Sequence, residues 1–567
     1  MKTSHERRGL RSGLFRTIVA AVIPMALVAT VSGADTLPAN TLKLTAPANI
    51  PGTPALPFTG QTAANFTIPT TTGVLSVTPY QGVQGTPITV TGSGLPANQS
   101  VELTWGTSSA TWMTDVEPNT VNYLGTAYSK MNMVMTNVTT DAQGAFTFKT
   151  TVPADFGGIH DIYAVVNGAA VGHAGFEELR ILKVTPTSGP IGTPINITYT
   201  SMGASLYTGG AQVTWDNHYT GEMQAQWTRG TASVTIRAAG PVGTHYIQVG
   251  NAISFMYLNV VQSPIPYTNG GTVAFRVTRD NGPATPSITW PASVTPTVSE
   301  VTTLSNANLD PKSTATATLS PTSGPVLSTT NLSVSGLSFS GPANLVWSTV
   351  VGNRVNCAST CWVFSSVPLG SATVTNGALN TKITVPDHLG GWHVVQVMNG
   401  TSVEAQVPFY VKESIQTFHN KNGSVATLGV ESPNNAATNA AIAAGGSAAP
   451  QVGTPTYRFK AGQEITLSIH GVGWTQLDNT LGVDYDNSYM GYSCGFNSNG
   501  YMVVHLRATG APGTHIIDLY PMLYSLSPSF SNTPYGMVPV LSSGRDYPGL
   551  ALGYQIPIMH FAITIVK

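Results

Sequence analysis

Charge is what this 567-residue chain has least of. Asp, Glu, Lys and Arg together make up 9% of it, 24 basic residues against 25 acidic, for a formal net charge of −1. An average soluble domain carries roughly a quarter of such residues. No basic stripe is available to neutralise phosphates, so nucleic acid is excluded as a partner on electrostatic grounds. Cysteine is nearly as scarce, with three residues, too few for a disulfide-stapled scaffold. Beyond the N-terminal region no apolar run approaches the roughly 20 residues that cross a bilayer as a helix, so no transmembrane segment is expected after signal removal. Metal clusters with zinc spacing, paired carboxylates and Ser-His-Asp arrangements are missing too. The chain therefore reads as non-enzymatic.

Present in quantity are Gly (58), Pro (39) and, within a 42% hydrophobic total, short alternating apolar runs. The N-terminus has its own pattern. Arg7, Arg8, Arg11 and Arg16 precede an apolar stretch from Ile18 to Val31, and Ser32-Gly33-Ala34 offers small residues before Asp35. That order is the order of a secretory signal peptide. It predicts removal of residues 1–34 and a secreted or cell-surface location. Residues 35–72, rich in Pro, Thr and Ala, read as an extended leader.

The remaining chain repeats itself. A Gly-x-His phrase followed by alternating apolar residues occurs at Gly158-Ile159-His160, Gly243-Thr244-His245, Gly391-Trp392-His393 and Gly513-Thr514-His515. Upstream of three copies lies a matching start: Leu75 to Val90, Leu182 to Ile197 and Ala317 to Val334, each with a Pro/Gly turn. A weaker start runs from Ala461 to Ile469. Between start and His, an aromatic residue recurs at one point, as Trp105, Trp215, Trp347 and Tyr485. Repeats of this length mean repeated domains. Seven or so short strands in about 80 to 110 residues predict an Ig-like β-sandwich.

The predicted organisation is all-β: a tandem array of four Ig-like β-sandwich domains joined by Pro/Thr/Ala/Gly-rich linkers. The modules span 73–181, 182–262, 316–413 and 456–567, with linkers at 263–315 and 414–455. A long insertion at 521–555 interrupts module four. Modules one and two abut without a linker and should form a stiff pair. The Pro-x-x-Gly-x-x-Gly-Thr-Pro-Ile opening and the Gly-x-His strand resemble the IPT/TIG family of immunoglobulin-like domains. That resemblance covers roughly 380 residues and implies fold more than function, since such domains serve in adhesins, surface arrays and enzyme accessory regions.

Few residues point to chemistry. The four His are a domain length apart and cannot share one metal, so each is expected to hydrogen-bond within its own module. Asp484, Asp486 and Asn487 sit beside Gly in a phrase that module two repeats as Asp216-Asn217. Carboxylate and amide oxygens so spaced suit calcium, and calcium is the only candidate cofactor. An Asp-Asn hairpin turn explains the same residues. Cys357 and Cys361 are placed to close a small disulfide loop in an oxidising compartment, and Cys494 is expected to be a buried small hydrophobe. Gly491-Tyr-Ser493-Cys-Gly495 has the spacing of a nucleophile elbow but lies between hairpin strands, whereas an elbow turns a strand into a helix. Trp105, Trp215 and Trp347 read as core. Trp112, Trp227, Trp362 and Trp392, less regular, are better placed than those three for exposed contacts, although each reads first as structural.

The expected role is that of an exported structural or adhesive protein, a spacer or binding array whose partners are cell-surface glycans, matrix proteins or further copies of itself. The alternative is a carbohydrate- or substrate-binding accessory protein using the loops of module four.

Overall fold

The computed structural model describes residues 41–44, 73–117, 120–205, 208–251, 258, 269–280, 315–352, 362–412, 414–416, 426–428, 457–473, 480–495, 498–523, 538–541 and 559–567. The segment expected to be a signal peptide and most of the expected leader fall outside these residues, as do Cys357, Cys361 and the greater part of both linkers. Every regular element among the described residues is a β-strand.

Each module folds its alternating runs into two facing sheets. In module one, Val74–Thr78, Pro87–Ser93 and Phe146–Thr151 form a three-stranded sheet. Their burial alternates, as in Val74–Thr78, where only Leu75 and Val77 point inward. The chain then changes sheets at a Pro/Gly turn. Gln81–Gly82 pairs parallel to Ala169–Glu178 at the edge of the second sheet, whose other strands are Gly158–Val166, Ser100–Glu117, Thr120–Thr139 and Thr41–Leu44. Module two repeats the scheme with Ser188–Gly189 parallel to Asn269–Val277, and module three with Ser323–Pro325 parallel to Ser402–Lys412. The peptide bonds before Pro79, Pro186 and Pro321 are cis, one in each of these modules.

Both linker regions supply strands to neighbouring modules. The closing strand of module two is Asn269–Val277, paired antiparallel to Gly243–Asn251, so this module reaches into the 263–315 linker. In module four, whose start is the weaker one, the 414–455 linker supplies strands: Ser414–Gln416 and Ala426–Leu428 both pair with Glu464–His470. Pairing requires only an extended segment beside an open edge, which Thr- and Ala-rich sequence supplies without advertising it.

The modules are not independent beads. Residues of module two and residues of module four, namely Ile516, Tyr520, Leu541 and Ala562, belong to one buried apolar cluster. These four face away from module four's own core, which holds their neighbours Ile517, Leu519 and Ile563.

Candidate functional site

The repeated aromatic and His form one device. Trp105, Trp215, Trp347 and Tyr485 each sit opposite the residue two beyond the His: Ile162, Ile247, Val395 and Ile517. The His ring then lies against the aromatic ring, with centroids 4.3, 5.2, 5.0 and 5.8 Å apart in modules one to four. Each ring also ties its strand to the residue that follows the aromatic one. In modules one and three its Nδ1 faces the carbonyls of Gly106 (2.7 Å) and Ser348 (3.1 Å). In modules two and four it faces the carboxylates of Asp216 (2.5 Å) and Asp486 (2.6 Å). The chain is thus a duplicated pair, with module three built like one and module four like two. Burial lowers the His393 pKa to about 4 against three carbonyl contacts that raise it. Burial also works against a charge on His515, but the hydrogen bond and charge of Asp486 outweigh it and hold that ring's pKa above its ordinary value. These rings hold the fold, as the sequence suggested.

The two pairs share a joint. The peptide before the Gly-x-His strand lies against a turn of the next module, bridging Gly157 to Gly203 and Gly390 to Gly473. Gly157 N–H donates to the Met202 carbonyl and Gly390 N–H to the Val472 carbonyl, each at 2.8 Å. A Cβ on Gly157 would come within 1.7 Å of the Ser201 oxygen, and on Gly390 within 1.7 Å of the Gly471 oxygen. Only a bare peptide fits there. In the first joint Arg229 of module two reaches into module one, pairing with Asp155 and donating to the Thr107 hydroxyl (3.0 Å) and the Ser108 carbonyl (3.2 Å). Asp155 also accepts from Trp105 Nε1 at 3.0 Å. Glu178 accepts from the Ser201 hydroxyl at 2.7 Å, and burial raises its pKa to about 8.

The contact between modules two and four is the most polar interior. It is formed by strands Gly210–Trp215, His218–Gln224 and Ala232–Arg237 of module two, and Thr480–Tyr485, Ser488–Cys494 and Gly513–Leu523 of module four. Arg237 is paired with Asp518, and their side chains are 5% and 1% exposed. Arg237 Nη2 also donates to the Ile517 carbonyl at 3.2 Å, and Asn487 Nδ2 donates to the Arg237 carbonyl at 2.8 Å. The Thr220 hydroxyl donates to the Asn487 carbonyl at 2.7 Å, and the rings of Tyr219 and Tyr489 meet edge to face. From the 521–555 insertion, Val538–Leu541 lies buried along module two, where Leu541 N–H donates to the Glu222 carbonyl at 2.8 Å. Gly221 has no room for a side chain there, since a Cβ would lie 2.7 Å from the Pro539 oxygen.

The calcium candidates are divided among different tasks. Asp486 accepts from His515 and from the Ile516 N–H (3.0 Å), and it shares positive φ with Asn487, as in a tight hairpin turn. Asn487 serves the intermodule contact. Asp484, paired in register with Asp518, is fully buried with no hydrogen-bond partner on either oxygen. Burial and the Asp518 charge push its pKa well up. Among the described residues no group of three His, Cys, Asp or Glu is arranged to hold a metal. Ser493 lies on a hairpin strand opposite Leu481, not at a strand-to-helix turn. One expectation needs correction: Cys494 is exposed. Trp112 (1% exposed) and Trp227 (3%) are buried and serve as structural residues rather than exposed contacts. Leader residues Thr41–Leu44 pair with Trp112–Asp115, which closes over that strand. Of the side chains of Trp362 and Trp392, nothing is described.

No family model matches the chain, and no curated protein matches it. Solved structures that do align include Escherichia coli alpha-2-macroglobulin at 8% identity and a TM-score of 0.15, with 86% of this chain covered. The chain spans only 30% of that protein's length. Invasin, a bacterial integrin-binding protein, aligns at 12% identity over 87% of this chain and 79% of its own, with a TM-score of 0.17. An ICAM-5 ectodomain fragment aligns at 10% identity over 87% of this chain and all of its own, also at 0.17. At such TM-scores the fold rests on the sheet pairings above rather than on these likenesses. Among the described residues no helix is long and apolar enough to cross a membrane.

Proposed function

We propose that this chain is an exported cell-surface or extracellular structural protein of adhesive type, non-catalytic, whose modules act as a spacer and binding array. The observation that carries this reading is the set of intermodule joints. Each of the three is closed by peptide-to-peptide contact, and two of them also by a buried ion pair, which suits a scaffold that must hold surfaces at a fixed separation. The repeated Trp and His, the most distinctive residues of the sequence, are consumed by the fold and support no reaction. Binding then belongs to the exposed rims, where residues vary at little cost to the cores. One observation favours an accessory carbohydrate-binding role: Tyr492 (46% exposed) and Tyr501 (37%) present aromatic rings on module four.

The test is a screen of the mature chain against glycan and matrix-protein panels, with self-association followed over concentration and the native protein located by fractionation. Retention at the surface with saturable protein, glycan or homotypic binding is expected. Cytoplasmic location, or turnover of any panel member, overturns the reading.

A further inference from the structure

The joint between modules two and four joins parts of the chain that are not neighbours in sequence. We propose that this joint is a proton-operated clasp, closed in acid and released as the pH rises, because closing it buries the carboxyls of Glu222 and Asp484, neither of which is ion-paired among the described side chains.

Among the described side chains Arg237 is the cation that the pairings above place in the contact, and Asp518 takes its charge; His560 is the neighbour of Asp518 in register on the adjoining strand, and His218 faces the Ser488 hydroxyl across the joint at 3.4 Å. Asp484 lies beside that ion pair with both oxygens unpartnered at 1% exposure. The groups around it are Asp518 and Tyr520 on its neighbouring strand, Tyr489 on its hairpin partner, and Tyr219 from module two. The tyrosines are held neutral by burial, and none supplies a positive charge. Glu222 sits on the opposite side of the contact at 5% exposure. It is faced by Gln212, which donates to it at 3.3 Å, by Tyr219 and by the Val538–Leu541 segment along its backbone. An ionised carboxylate in such surroundings is costly enough that the group takes a proton instead.

Opening the joint returns both carboxyls to water, where they ionise near their ordinary values. Closure is then coupled to proton uptake. Its contribution is full below about pH 4.5, shrinks as pH rises, and is spent above the closed-state pKa, which burial sets at about 8 for Glu222. Between those limits each carboxyl weakens closure about tenfold per pH unit. The clasp does not depend on which ligand the surface binds.

Hydrogen exchange on the full mature chain reads this directly. The amides of 218–224 and 488–494 are followed from pH 5 to pH 9, each corrected for its intrinsic exchange rate. Protection is expected to fall at least tenfold over that range in the wild type, while the separate core of module three keeps its protection. In Asp484→Asn/Glu222→Gln the fall should vanish. Should that double variant misfold, Asp484→Asn alone is expected to flatten the profile partly. A wild-type profile that is flat overturns the proposal, as does a double variant with an unchanged slope. Loss of protection on adding EDTA at pH 5 would assign a bound cation in place of the proton and overturn it as well.

Discussion

Replacing Arg237 by methionine keeps the bulk of the side chain and removes the charge paired with Asp518. The pair is almost fully excluded from water, and Asp518 faces a second buried acid, Asp484. Breaking a buried pair by removing one partner costs about 3–5 kcal/mol, chiefly because a charge is left without compensation. Module four alone would expose Asp518 where module two now covers it, so the loss falls on docking rather than on either sandwich. At 1.4 kcal/mol per factor of ten, the closed-to-open ratio should drop roughly 100- to 4,000-fold. Arg237→Met/Asp518→Leu removes both charges and should recover most of that loss, since well-packed apolar replacements of buried pairs are often neutral. Urea unfolding combined with exchange at 218–224 and 488–494 measures both effects, and the double-mutant cycle isolates the pair. If Arg237→Met changes docking by less than about 0.5 kcal/mol, or if the double variant is as impaired as the single, the ion pair does not hold this joint.

Three further outcomes are expected. Trp215→Ala should lower the stability of module two by about 3–5 kcal/mol through a cavity against Phe275 and His245, and an unchanged melting temperature would show that the ring does not fill the core. Gly157→Ala and Gly390→Ala should each loosen one end-to-end joint by about 1–3 kcal/mol of overpacking while the sandwiches stay folded; equal proteolytic resistance of wild type and variants at those junctions would refute the close contact. Asp486→Asn removes the carboxylate that raises the His515 pKa. A raised folded-state pKa gives stability that is full below the unfolded value of about 6.5 and is lost as pH rises through the folded value. The melting-temperature gap between wild type and variant should therefore be widest near pH 5–6 and close on the alkaline side, and a gap independent of pH would contradict the Asp486–His515 pairing.

Repetition made the modules legible. Period-2 alternation, Pro/Gly turns and the recurrent Trp and His locate the core because burial on one face of a strand imposes that pattern wherever the strand lies in the chain. The tie between His and Trp was within reach of sequence, although its third member, Phe176, Phe275, Phe409 or Ile563 opposite the His, recurs too far downstream to be noticed. The joints were not legible. Gln212, Thr214, Glu222, Asp484 and Asp518 alternate with apolar residues as a solvent-facing row does, yet all five are buried. The same pattern fits a wet face or a dry polar contact, and only the partner distinguishes them. The 521–555 insertion misled for the same reason, since Val538–Leu541 reads as loop until module two is placed beside it. Sequence determined the sandwiches, because their pattern depends on nearby strands. Tertiary structure decided which sandwiches touch, because that depends on matching charges and shapes carried by residues as much as 281 positions apart.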